Sequence, residues 1–238
     1  MENLVTLLST NAYPGRGIVL GVNPEGTAVR IGYFIMGRSE NSRNRVFTSP
    51  DADTLLTEPA DPAKVQDPSL IIYAPVRRLG DTLIVTNGDQ TDTVFEALKA
   101  GKSFRDALVT RTFEPDPPNY TPRISGLVNV TDGKASFEMA ILKSLDGDSN
   151  YPVRHFFTYE GLPAGTGLFL HTYEQDGNPL PTFAGEPTRV AITGDLESWT
   201  KEVWESLHAE NKISLYTAEY SLADGTLKGC ITNKYHQK

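Results

Sequence analysis

A single cysteine, Cys230, stands in the 238 residues, so no internal disulfide is available to staple the fold. The four histidines, His155, His171, His208 and His236, are scattered, and no histidine–cysteine cluster has zinc spacing. No apolar run approaches the length of a membrane span. The start, MENLVTLLSTNAYPGRG, has an acid at position 2 and only a short apolar patch, unlike a secretory signal. Basic residues are also in deficit. Against 30 Asp and Glu there are 22 Lys and Arg, a net charge of −8 that argues against wholesale nucleic-acid binding, where affinity comes from neutralising phosphates. These shortages point to a reduced, cytoplasmic setting with neither membrane nor nucleic acid as partner. The apolar share of 39% supports one sizeable core, read as a single domain over 1–238.

What the chain does have is hairpin chemistry. GIVLGV and AVRIGYFIMG flank NPEG; LIIYAPVRRL and TLIVTN flank Gly80 and Asp81; ISGLVNV and ASFEMAILK flank TDGK; RHFFTYEG and GLFLHTYE flank LPAGT; KISLYTAEYSL and TLKGCITNK flank ADG. Runs rich in Val, Ile, Tyr and Phe on either side of such turns predict antiparallel pairs. Helices are few. TDTVFEALKAG opens with Thr91 and Asp92 as N-cap candidates and closes on Gly101, and SFRDALVTRTF starts a second helix at Ser103. TGDLESWTKEVWESLHAEN is the clearest, capped by Thr193 or Asp195, with Leu196, Trp199, Val203 and Leu207 at helical spacing as a core-facing stripe. The expected fold is α+β, two packed antiparallel sheets with helices outside. FTSPDADTLLTEPADPAKVQDPS, from Phe47 to Ser69, has no steady period and reads as an irregular surface excursion.

Several segments carry polar groups suited to a site, each with a plainer alternative. GRSENSRNR puts Arg38, Arg43 and Arg45 among serines and asparagines, either a solvated turn or an anchor for a small anion. TNGDQTDT follows a strand and precedes a helix, so Asn87, Gly88, Gln90 and Thr91 lie where backbone amides favour an anion or polar ligand; the alternative is a turn capped by Asp92. FEPDPPNYTPRISG crowds Glu114 and Asp116 near Tyr120 and Arg123, either for proton transfer or as a proline-stiffened loop with an ion pair. Tyr73, among apolar neighbours, reads as a sheet-facing aromatic in a strand, and Tyr173, in HTYEQDGNPLPTFAGEP, as part of a structural turn or of a pocket.

In this order, YPGRGIVLGVNPEG, MGRSENSRNR, LIIYAPVRRLGDTLIVTNGDQTDT, EPDPPNYTPRISG and HTYEQDGNPLPTFAGEP resemble the archaeal-type, monofunctional IMP cyclohydrolase family. The resemblance spans most of the chain, with TNGDQTDT and TPRI its most specific parts. It implies an α/β/β/α sandwich like that of the N-terminal nucleophile hydrolases; here the chain begins Met-Glu, so the scaffold is expected without the terminal nucleophile. It implies dehydrative ring closure of 5-formamidoimidazole-4-carboxamide ribonucleotide to inosine monophosphate, with no metal or organic cofactor. Arg38, Ser39, Asn44 and Arg45 are then the phosphate anchors and Arg16 a second-rank contact. The segment from Glu40 to Arg43 exceeds the family's spacing, which sets Arg43 aside. Asn87, Gly88 and Thr91 would read the base, Tyr173 would reach the pocket, Arg123 would stabilise oxyanion character, and Glu114 and Tyr73 would move protons. Rival readings are a purine-nucleotide-binding protein without turnover, an amidohydrolase cleaved ahead of Ser9 or Thr10, and a structural protein of the same architecture. A homo-oligomer stays open.

Overall fold

The computed structural model describes residues 1–65, 68 and 72–236. The chain opens with β1 (Glu2–Asn3), α1 (Leu4–Thr10), β2 (Arg16–Val22), β3 (Ala28–Met36), α2 (Glu40–Arg43), β4 (Val46–Asp51) and β5 (Thr54–Glu58). The middle supplies β6 (Val76–Leu79), β7 (Thr82–Thr86), α3 (Gln90–Lys99), α4 (Phe104–Leu108), β8 (Arg123–Thr131), β9 (Lys134–Leu145) and β10 (Asp148–Tyr159). It ends with β11 (Thr166–His171), β12 (Thr188–Ala191), α5 (Leu196–Ser206), β13 (Lys212–Ser221) and β14 (Leu227–Asn233). Two seven-stranded sheets result, ordered β1-β12-β11-β2-β3-β13-β14 and β10-β9-β8-β7-β6-β5-β4. All pairs are antiparallel except β1 with β12.

Side-chain alternation explains the layering, because a strand sends successive residues to opposite faces. Ile18 and Leu20 of β2 join Leu83 and Val85 of β7 and Ile124 and Val128 of β8 in one core between the sheets. Val19 and Phe34 face the other way, onto Leu4 and Leu8 of α1 and Trp199 and Val203 of α5. On the second sheet Ile84, Leu127 and Leu142 meet Val94 of α3 and Phe104 and Leu108 of α4. Strands buried on both faces need near-continuous apolar runs, which is what GIVLGV and IGYFIM supply. The predicted α+β class with mostly antiparallel sheets and outer helices is therefore present, and Trp199 is core. Ser103 and Asp195 cap their helices as expected, accepting from the backbone amides of Asp106 and Ser198.

Four local expectations are corrected. Phe47–Ser69 is not simply irregular: β4 and β5 form a hairpin, followed by a single 3-10 turn at Pro62–Lys64, while residues 66, 67 and 69 lie outside the described set. Leu55 and Thr57 do alternate inward, and Pro50 is tolerated because β4 is an edge strand. RHFFTYEG and GLFLHTYE do not pair. β10 adds to β9 and β11 to β2, so LPAGT carries the chain from one sheet to the other; turn residues specify a reversal but not which neighbour receives it. Tyr73 precedes β6 rather than sitting in a strand, its carbonyl accepting from the Thr57 amide at 2.9 Å. Positions 70 and 71 of that segment are outside the described residues. Finally, Asp89 rather than Thr91 or Asp92 occupies the N-cap position of α3, without a side-chain cap bond, and Asp92 pairs instead with Arg77 at 2.7 Å.

Leu20 is fully buried at the inter-sheet core, where Gly126 leaves room for its methyls. Leu20→Ala should lower the unfolding free energy by about 2–5 kcal/mol in a chemical-denaturation curve, with little change in slope.

Candidate active site

Three distant pieces of backbone bring the charged groups together. Arg16 opens β2, Arg123 opens β8, and Glu114 lies in the loop between α4 and β8, its amide donating to the Thr121 carbonyl at 2.9 Å. Arg16 is 8% exposed and Glu114 3%, and among the described residues neither side chain makes a hydrogen bond. A buried guanidinium and a buried carboxyl left without donors or acceptors are unusual, since each such group costs free energy unless something answers it.

The electrostatics identify what surrounds them. Burial pushes the Glu114 carboxyl up to about 7, against the pull of Arg16 and Arg123 and with a contribution from Asp116. Burial opposes the charge on Arg16, yet Glu114, Tyr13, Tyr173 and Tyr73 together hold it above the ordinary arginine range. Arg45 is completely buried and is held below its usual value by that burial and by Arg16. Its Nε donates to the Ser42 carbonyl at 2.8 Å, while one Nη has no partner. Tyr33 and Tyr73 share a hydroxyl–hydroxyl bond of 2.8 Å, and burial followed by the Tyr73 neighbour pushes the Tyr33 phenol well up.

The turn between β7 and α3 holds Arg123 against Glu114. An Arg123 Nη donates to Gln90 Oε1 and to Asp89 Oδ1, both at 2.7 Å. Burial would raise the Asp89 carboxyl, but bonds from Arg111 and Arg123 bring it below its usual value. Gly88 leaves room for the Arg123 and Gln90 side chains. A Cβ would come within 2.6 Å of Arg123 Nη and 2.7 Å of Gln90 Oε1, with Glu114 Oε1 at 3.5 Å. The other wall is aromatic. Tyr13 stacks on Tyr173 with centroids 6.0 Å apart, and the Tyr173 hydroxyl meets Thr121 Oγ1 at 2.6 Å. Burial pushes the Tyr173 phenol above its ordinary range.

Of the expected site residues, Arg16, Tyr73, Glu114, Arg123, Gly88 and Tyr173 therefore converge, with Arg45 behind them. Others are occupied in holding backbone. Asn87 Oδ1 accepts from the Ile124 amide at 2.8 Å and from Gln90 at 3.0 Å, and its Nδ2 donates to Pro122 O at 2.8 Å. Thr91 Oγ1 lies 2.7 Å from Thr86 Oγ1 and donates to the Gly88 carbonyl at 3.0 Å. Ser39 caps α2, and Asn44 exchanges bonds of 2.7 and 2.9 Å with the Asp61 backbone. Arg38 is at the rim, bonded to Asp176 at 2.5 Å and lying 5.0 Å over the Tyr13 ring. Arg38, Arg43 and Asn44 line a groove of about 620 Å³ with Lys64, Lys234 and His236. Tyr13 and Tyr33 were not singled out in the sequence; Tyr33 is hidden inside the apolar run IGYFIM, whereas Tyr13 stands beside the PGRG turn that places Arg16. Among the described residues no three His, Cys, Asp or Glu side chains converge as metal ligands do, and no helix is long and apolar enough to cross a membrane.

Fold and cluster define a two-sheet α+β protein with a buried group of charged and phenolic side chains where β2, β8 and the loop before β8 meet. A family model described as IMP cyclohydrolase-like protein matches residues 13–225, and the chain belongs to that family. Proteins named IMP cyclohydrolase are similar along much of their length. That of Methanopyrus kandleri is 28% identical over 203 residues, covering 80% of this chain and 98% of its own. That of a Methanococcus maripaludis strain is 34% identical over 166 residues, covering 68% and 75%. The Methanosphaera stadtmanae protein is 29% identical over 206 residues, covering 84% and 95%.

The Glu114 shift fixes a pH dependence of stability. Its folded value of about 7 lies above the ordinary 4.5, so the folded state binds the extra proton between those values. Stability contributed by this group is present below about 4.5, falls as pH rises towards 7 and stays lost above it. The loss is on the order of 3 kcal/mol. Denaturation midpoints of Glu114→Gln should lack that decline between pH 5 and 8, whatever its absolute stability; an unchanged slope would contradict the shift.

Proposed function

We propose that this chain is an IMP cyclohydrolase, closing the purine ring of 5-formamidoimidazole-4-carboxamide ribonucleotide to inosine monophosphate and water, the ring-opening hydrolysis run in the synthetic direction. The observation that carries the reading is the pair Arg16 and Glu114, buried together without hydrogen bonds in a chain of this family. Buried polar groups without a protein partner can be answered by a ligand that brings complementary atoms. The family resemblance also suggests an N-terminal nucleophile hydrolase-like sandwich, which the layering of helices on two sheets supports.

Both reacting groups sit on one imidazole, so holding the near-attack rotamer and excluding competing water do much of the work; orientation alone is worth roughly 7–11 kcal/mol in favourable systems. The carboxamide nitrogen adds to the formyl carbon as one of its protons passes to the formyl oxygen; the formamido nitrogen then gives up its own proton as the C–O bond breaks and the ring C=N bond forms, so that oxygen leaves as water with both protons. A carboxyl titrating at about 7 is suited to both halves, accepting the proton from nitrogen and returning one to the departing oxygen. Arg123 and Arg16 stabilise negative charge on that oxygen during addition. Tyr73, whose hydroxyl meets that of Tyr33, is placed to donate a hydrogen bond to the leaving oxygen. The Tyr13 and Tyr173 rings give the ligand an aromatic wall. The 5′-phosphate reaches Arg38 at the rim of the groove, where a charge-assisted bond is worth about 1.5–3 kcal/mol.

The test follows ring closure spectroscopically with the formylated substrate. Glu114→Gln should lower kcat on the order of 10²–10⁴-fold, whereas Arg38→Ala should chiefly raise KM. A wild-type protein that binds inosine monophosphate without forming it would demote the reading to a nucleotide-binding protein. Glu114→Gln with unchanged kcat would remove that carboxyl from the chemistry.

A further inference from the structure

A second cavity, of about 770 Å³, shares no lining residue with the Arg16–Glu114 cluster. Its walls are Leu7, Leu8 and Thr10 of α1, Pro14, Phe169 and the loop that carries Phe183 and Ala184. Residues 1–12, which carry the α1 wall, precede the span matched by the family model. His171 lies in the lining, only 8% exposed, with its ring between Phe169, stacked at 4.7 Å, and Phe183, edge-on at 4.5 Å.

The tautomer of His171 follows from its partner. Nδ1 lies 2.8 Å from the Tyr173 carbonyl oxygen, which only accepts, so Nδ1 carries the proton. Burial holds the imidazole below its usual pKa, so the ring is neutral near pH 7 and Nε2 presents a lone pair. Nε2 has no hydrogen bond among the described residues. The remaining charge in the lining has one sign: Glu174, Asp176 and Glu186 are there, and no Lys or Arg is. Asp176 already holds Arg38, and Glu174 accepts from the Ala184 amide at 2.6 Å, which leaves Glu186 as the uncommitted carboxylate.

We infer that this cavity is a binding site for a small aromatic cation carrying N–H donors, of the arylamidine or arylalkylammonium kind, its ring lying against Phe169, Phe183 and the α1 leucines and its cationic end donating to His171 Nε2 and Glu186. An anion meets carboxylates and a lone pair there, and an apolar molecule leaves the histidine unanswered. The site goes beyond ring closure and does not depend on it.

Isothermal titration of the full chain with benzamidine, and separately with benzoate of similar size, tests this. Benzamidine should bind with saturation and benzoate should not. His171→Phe keeps the stacked ring and removes Nε2, and Ala184→Trp fills the cavity from an exposed position without touching the core. Each should weaken benzamidine at least about tenfold. Equal binding of cation and anion, no binding of benzamidine, or full affinity retained in Ala184→Trp would overturn the proposal. Ala184→Trp keeps the question answerable should His171→Phe fail to fold.

Discussion

A buried arginine and a buried carboxyl, Arg16 and Glu114, with no hydrogen bond from either side chain among the described residues, are the constraint around which this structure is arranged. Taking two charges out of water costs several kcal/mol per ion before their attraction is counted, and the attraction repays it only with good geometry and satisfied donors. Here Arg16 Nε is buried without a partner, so the arrangement does not serve stability. The surrounding structure must supply the difference, and it does so with two fully buried apolar layers beneath β2 and β8, the strands that deliver Arg16 and Arg123. Arg45 adds to the cost, being a further buried guanidinium whose charge Arg16 disfavours.

The polar residues around that cluster divide into two groups by what their side chains already do. Asn87, Thr91, Asn44 and Ser39 are committed to backbone amides and carbonyls, with little left for a ligand. They occur where the chain turns sharply at a buried position, and every backbone group there needs a partner. Among the described residues the Arg16 and Glu114 side chains are not committed in this way. A family match at Asn87 or Thr91 is thus consistent with a scaffold role as much as with contact to a base, because the turn they build is what fixes Arg123.

How far the sequence reached follows from which signals are local. The hairpins β2–β3, β8–β9 and β13–β14, the Ser103 and Asp195 caps and the Trp199 stripe were legible because turn chemistry and periodicity sit within a dozen residues. The transfer of the chain from β10 to β11 was not, since LPAGT reads like any hairpin turn and only the packed sheets decide the partner. The β4–β5 pair was masked by Pro50 and a density of acids tolerable on an edge. Tyr33 was invisible for a related reason: inside a strand buried on both faces a tyrosine reads as one more apolar residue, and its hydroxyl gains meaning only when Tyr73 arrives from another loop. Most candidate residues stood out from the polar make-up of their segments, and the family resemblance gave them their expected roles. Their chemical individuality, with Glu114 near 7 and Arg16 unanswered, needed the fold.

Gly88 joins the two halves of this account. As one glycine among 20 it carries little weight in the sequence, and as a member of TNGDQTDT it could serve either the turn or a ligand. In the fold it does the first in order to permit the second. Any side chain there would strike the Arg123 guanidinium and the Gln90 amide that orients it, and those groups have to yield before the backbone does. Displacing Arg123 would withdraw a positive charge from Glu114 and push its carboxyl further up, since Arg123 is one of the groups opposing burial there. A missing methyl in a turn is in this way coupled to the proton affinity of a carboxyl on a different loop.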